Sequence, residues 1–144
     1  MPEKETLERA RKDKREGKAA STQAGEFVRE EIEHIREGKH GARSTKQAIA
    51  IGLSKARRAG VDLPPSQGSS EETKEQAERD LSKAKSGKRP SATRSRATRK
   101  ALKREGHSAA SKQALSRQAR SAAKKRSAAS RSSSAKKAAA TRKK

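Results

Sequence analysis

STQAGEFVREEIEHIREGKHGARSTKQAIAIGLSKARRAG, Ser21 to Gly60, decides the fold, because nine of the chain's fourteen large apolar residues fall between Phe27 and Leu63. Here alone is a core expected. Ala24, Val28, Ile32 and Ile35 step by 4, 4 and 3, one face of a helix from about Thr22 to Arg36, with Phe27 widening the stripe. Arg29, Glu30, Glu33 and Arg36 fall on the outer side of that helix. Gly38 and Gly41 bracket a short loop, and Ser44 with Gln47 forms a capping box that opens a second helix, which Gly60 stops. Ile49, Leu53 and Ala56 make its inward stripe, and Gly52 admits a neighbouring backbone closely. The two stripes predict a helical hairpin over about 22–60, within a unit spanning 21–63.

On either side the apolar content collapses. Residues 1–20 predict a charged helix in which Glu5 faces Arg9 and Glu8 faces Lys12 one turn on, with Leu7 as its only large internal apolar residue. Residues 64–70 are a Pro/Gly/Ser linker, and Ser69 with Glu72 predicts the start of an exposed charged helix over 71–86. Residues 87–144 are built from Ser, Ala, Lys and Arg, a low-complexity basic tail. Leu, Ile, Val and Phe supply only 13 of 144 residues, about 9 %, while Ala supplies 26. Highly charged chains with less than roughly 20 % of these large residues are expected to be disordered. The expected fold class is therefore mostly α with extensive disorder, a short helical hairpin with charged helices and a basic tail around it.

An internal repeat punctuates the chain. REGKAASTQA (Arg15 to Ala24), REGKHGARSTKQA (Arg36 to Ala48) and REGHSAASKQA (Arg104 to Ala114) share an Arg-Glu-Gly stop, a small loop and a Ser/Thr restart into Gln-Ala. Each predicts a helix end followed by the cap of the next helix. The uneven spacing from Gly to Gln argues against a stacked solenoid and for a string of short helices.

Charge divides the molecule in two. Residues 1–65 carry 15 Lys/Arg against 11 Asp/Glu, residues 66–80 carry 2 against 5, and residues 81–144 carry 22 against the single acid Glu105. A net charge of +22 with this asymmetry points to a polyanionic partner. The candidate phosphate contacts in the front half are Lys39, Arg43 and Lys46 around the start of the second helix, then Lys55, Arg57 and Arg58 on it. Free backbone N–H groups at that helix start favour an anion, although capping by Ser44 explains the same residues. In the tail the candidates are Lys88, Arg89, Arg94, Arg96, Arg99, Lys100, Lys103 and Arg104, followed by Lys112, Arg117, Arg120, Lys124, Lys125 and Arg126. Arg131, Lys136, Lys137, Arg142, Lys143 and Lys144 complete the set. Such cations contact phosphates and carry no base code.

Ser21 to Gly60 resembles a family of small basic bacterial proteins of unknown function, and KALKREGHSAASKQALSRQARSAAKKR, Lys100 to Arg126, is similar to a C-terminal stretch found in that group. The resemblance implies a bacterial cytosolic setting and brings no catalytic or binding residues with it. AKKAAATRKK, the last ten residues, is similar in composition to histone-like Lys/Ala tails.

Other chemistries find little anchorage. Glu30 and His34 share a helix face, but the chain has no Cys and no HExxH and no Asp/Glu cluster closes a site, so His34, His40 and His107 are read as solvated and no metal or cofactor is expected. No phosphate-binding loop, dinucleotide fingerprint or nucleophile elbow is present, so no enzymatic activity is expected. The longest apolar run is the six residues from Ala48 to Leu53, and no membrane span is expected. Ala48, Gly52, Leu53 and Ser54 fit the turn of a helix-turn-helix, but Gly60 cuts the reading helix short, VDLPP supplies no following helix, and one continuous helix with Gly52 at a close contact is the expected reading. The expected function is non-enzymatic, largely sequence-independent DNA binding by a cytoplasmic, nucleoid-associated protein. RNA or ribosome binding competes, since the Arg/Ser mixture resembles RNA-associated tails while stacking aromatics are missing. A third expectation is an adaptor or homodimer working through the hairpin stripe, Val28, Ile32, Ile49 and Leu53.

Overall fold

Ser21–Gly60 folds as two antiparallel helices, α2 (Ala20–Arg36) and α3 (Thr45–Arg58), in a computed structural model that describes residues 2–66 and 68–143. Ahead of them is α1 (Lys4–Arg15), and after them come α4 (Glu71–Ser86), α5 (Ala92–Lys103), a 3-10 turn (Ser108–Ala110), α6 (Lys112–Lys124) and α7 (Ala128–Arg142). The described residues are all-α.

Extensive disorder is therefore not what this sequence produces: the basic tail is helical. Ala is the strongest helix former, and no Gly interrupts the chain after Gly106. Ser111 and Ser127 cap α6 and α7, their hydroxyls accepting the backbone N–H of Ala114 and Ser130. Lys143 closes α7, and Lys144 lies outside the described residues.

Small residues also build the core. The inward face of α3 is Thr45, Ala48, Gly52 and Ala56; Ala56 is buried as expected, while Ile49 and Leu53, expected beside it, are half-buried on the flank. Gly52 explains the shift: a Cβ there would sit 2.6 Å from Val28 Cα, so α2 crosses α3 backbone to backbone, and α3 runs unbroken through that residue. One apolar cluster joins Ala10, Ala24, Phe27, Ala56 and Val61, with Leu7, Leu53 and Leu63 against it. A second joins Ile32, Ile35, Ala42 and Ala48 to Ala109 and Ala110. The tail thus contributes two core residues, and Leu115 packs beside them.

Four local expectations change. Glu30 is 3 % exposed and faces inward, not outward, because α1 crosses over α2 and Glu3, the residue just ahead of α1, donates a backbone N–H to Glu30 Oε2 at 3.1 Å. Helix α4 is not wholly exposed: Ala77 and Asp80 are buried, and Arg58 Nε reaches Asp80 Oδ1 at 2.9 Å. The cap of α4 is Ser70 rather than Ser69, and α2 starts at Ala20 without a side-chain cap, ahead of Ser21.

The Arg-Glu-Gly repeat diverges in a way that matters. Gly17 and Gly38 adopt left-handed φ of 73° and 79°, and the Lys that follows each donates its N–H five residues back, to Asp13 and His34 carbonyls, at 3.0 Å. The same Lys then pairs with the Glu of its own repeat, Lys18 with Glu16 at 2.9 Å and Lys39 with Glu37 at 3.1 Å. Gly106 has no left-handed φ among the described residues, and its carbonyl instead accepts the N–H of Ala42 at 3.1 Å. Gly41 N–H reaches Leu102 O at 2.9 Å, Thr45 Oγ1 reaches Ala109 O at 2.7 Å, and Arg36 Nε reaches Ala110 O at 2.9 Å. Four hydrogen bonds therefore dock the end of α5 and the third repeat onto the second repeat.

Candidate nucleic-acid interface

Two of the tail helices gather their cations by periodicity. On α5, Arg96, Arg99, Lys100 and Lys103 recur at i, i+3, i+4 and i+7 and share one face, with Arg94 on the opposite side. On α6, Arg117, Arg120 and Lys124 share a face and, with Ser121 and Lys125, line a shallow groove containing no acid. A neighbouring groove adds Lys112 and Gln113. On α7, Arg131 and Arg142 lie on one side and Lys136 and Lys137 on others, so no stripe forms. Lys88, Arg89, Arg104, Arg126 and Lys143 sit between or beyond these helices and are exposed. Arg126 is oriented by Ser130, whose Oγ accepts from Nε at 3.2 Å, and by Ser134.

Among the described residues no Lys or Arg of α5, α6 or α7 is in an ion pair, whereas half of the front candidates are. Lys55 is paired with the buried Glu31, and Arg58 with the buried Asp80. Arg57 is buried and donates Nε to Leu63 O at 2.8 Å, tying the segment after α3 to its helix. Glu37 and Glu3 hold the Lys39 ammonium above its ordinary range. Arg43 and Lys46 are exposed, but the start of α3 is already satisfied: Ser44 Oγ accepts Gln47 N–H at 3.1 Å, and Gln47 Oε1 accepts Arg43 N–H at 2.7 Å. The front cations have largely structural work, while the α5 and α6 stripes are offered to solvent.

One cluster escaped the sequence reading. His34 and His40 are not freely solvated; they converge with Glu31, and one donor atom of each lies within 4.8 Å of the others. His107, by contrast, is exposed. The only sequence-level signal was the spacing of Glu30 or Glu31 to His34 on one helix, and the loop that returns His40 could not be foreseen from it.

Residues 11–67 match the model of a family of unknown function, DUF6496. The matched stretch carries the end of α1, all of α2 and α3 and the segment after them, and stops before the basic tail. No curated protein and no solved structure matches the chain. No helix of the described residues is long and apolar enough to cross a membrane.

Proposed function

We propose that this chain is a non-enzymatic, largely sequence-independent DNA-binding protein, histone-like in its use of a basic Ala/Ser-rich helical arm and associated with a bacterial nucleoid. The observation that carries this reading is the unpaired state of the α5 and α6 stripes: seven cations on two helix faces, with Glu105 as the sole acid from residue 81 onward. Phosphates spaced along a duplex neutralise such faces and release counterions. Backbone contact of this kind positions a protein on DNA and leaves sequence unread. Val28, Ile32 and Leu53 of the hairpin stripe pack within the apolar clusters, which favours the polycation reading over the adaptor.

A salt titration of duplex binding tests the proposal on the full-length chain. Log K falls linearly with log salt by about 0.9 per neutralised phosphate. Replacing Arg117, Arg120 and Lys124 by Gln removes three contacts and lowers the slope by about 2–3. An unchanged slope removes α6 from the interface. Competition with structured RNA is the second arm: RNA displacing the duplex at equal phosphate concentration makes RNA the partner.

A further inference from the structure

Glu31, His34 and His40 meet where α2 ends and the loop to α3 begins, and the polycation reading makes no use of them. His40 Nδ1 lies 2.9 Å from the carbonyl oxygen of Gly41, which only accepts, so Nδ1 carries the hydrogen. A neutral ring then presents the Nε2 lone pair to Glu31 Oε2 at 3.2 Å. Two acceptors at that separation require a cation between them, either a second proton or a metal ion. For metal–nitrogen and metal–oxygen bonds of about 2.0–2.1 Å, the edge of a coordination tetrahedron is about 3.4 Å, close to the gap already present. The hydrogen bond from Nδ1 to a backbone carbonyl is also the outer-shell contact that metal-bound imidazoles use. The second oxygen of Glu31 accepts from Lys55 Nζ, which fixes the carboxylate in place.

The His34 side supplies an independent observation. His34 Nε2 lies 3.0 Å from Glu3 Oε1 and 4.0 Å from Glu30 Oε1. Glu30 is 3 % exposed, and its Oε1 has no hydrogen-bond partner among the described residues. A bare, buried carboxylate oxygen is costly unless something positive satisfies it. The two imidazole rings stand edge to face, with centroids 6.1 Å apart.

We propose that Glu31, His34 and His40 bind a divalent transition metal of the zinc class, with Glu30 as the buried counter-charge. Two imidazoles and a carboxylate select borderline ions over Mg²⁺ and Ca²⁺, which prefer oxygen donors. The bound ion ties the end of α2 to the loop whose Gly41 and Ala42 hold the third repeat, and so braces the docked tail.

The test uses the untagged full-length chain stripped of metal. Zn²⁺ is titrated calorimetrically, and Co²⁺ is added as a visible-absorption probe of site symmetry. One equivalent binds the native chain, and the cobalt spectrum departs from that of the aquo ion. His34→Gln and His40→Gln each weaken binding at least tenfold, Glu30→Gln weakens it by less through loss of the buried counter-charge, and His107→Gln has no effect. Equal binding by the native chain and the doubly substituted His34→Gln, His40→Gln chain overturns the proposal. Should that variant fail to fold by circular dichroism, imidazole NMR of the native chain decides. Zn²⁺ shifting His34 and His40 but not His107 supports the site, and equal or absent shifts overturn it.

Discussion

Two glycines set how closely this protein packs. At Gly52 any Cβ would press into the Val28 backbone, so Gly52→Ala must push α2 and α3 apart. Overpacking of that kind costs about 1–3 kcal/mol, and urea unfolding of Gly52→Ala should show a loss in this range. At Gly41 a Cβ would run into the carbonyls of Glu105 and Gly106, so Gly41→Ala should release the third repeat while leaving α2 and α3 paired. Hydrogen exchange at Ala109 and Ala110 should then rise steeply, and exchange in α2 should change little. At the first repeat, the Lys18 ammonium holds the Glu16 carboxyl below the ordinary carboxylate range. A depressed folded-state pKa contributes stability above the unfolded value of 4.5, and that contribution is lost as pH falls through the folded-state value. The deficit of Glu16→Gln, measured against the native chain, should therefore be present at neutral pH and vanish in acid.

At the scale of elements, α2 and α3 were legible because large apolar residues recur with helical period and because Ser44 and Gln47 spell a cap that the structure forms. The inward face of α3 keeps the expected Ala56 but puts Ala48 and Gly52 in place of Ile49 and Leu53, which outrank them in hydrophobicity, because closeness of approach favours the smaller pair. The same preference for large side chains hid the role of the tail. Ala109 and Ala110 carry little apolar area, yet both are buried beside Ile32 and Ile35, because a 3-10 turn of small residues fits under the hairpin loop. Nothing in the order of residues announces a contact between positions separated by 64, as Thr45 and Ala109 are. The stripes on α5 and α6 could have been drawn from the sequence once a helix was assumed there. Taking a chain poor in Leu and Val as unable to order itself concealed them.

Across the whole molecule, cations divide by employment rather than by type. Lys18, Lys39, Lys55 and Arg58 hold acids of the bundle, whereas the cations of α5 and α6 face no acid. Position, and not net charge alone, should therefore govern affinity for a polyanion. Two variants that each remove four positive charges separate these ideas. One replaces Arg96, Arg99, Lys100 and Lys103 on α5 by Gln; the other replaces Lys4, Arg11, Lys14 and Arg15 on α1, all exposed. The salt dependence of duplex binding by fluorescence anisotropy is the most direct measurement. The α5 variant should lose about 3–4 from the slope of log K against log salt, and the α1 variant should keep nearly the native slope. Equal losses in the two variants, or a native chain that leaves the duplex unbound at ordinary ionic strength, would contradict a DNA interface built on the tail helices.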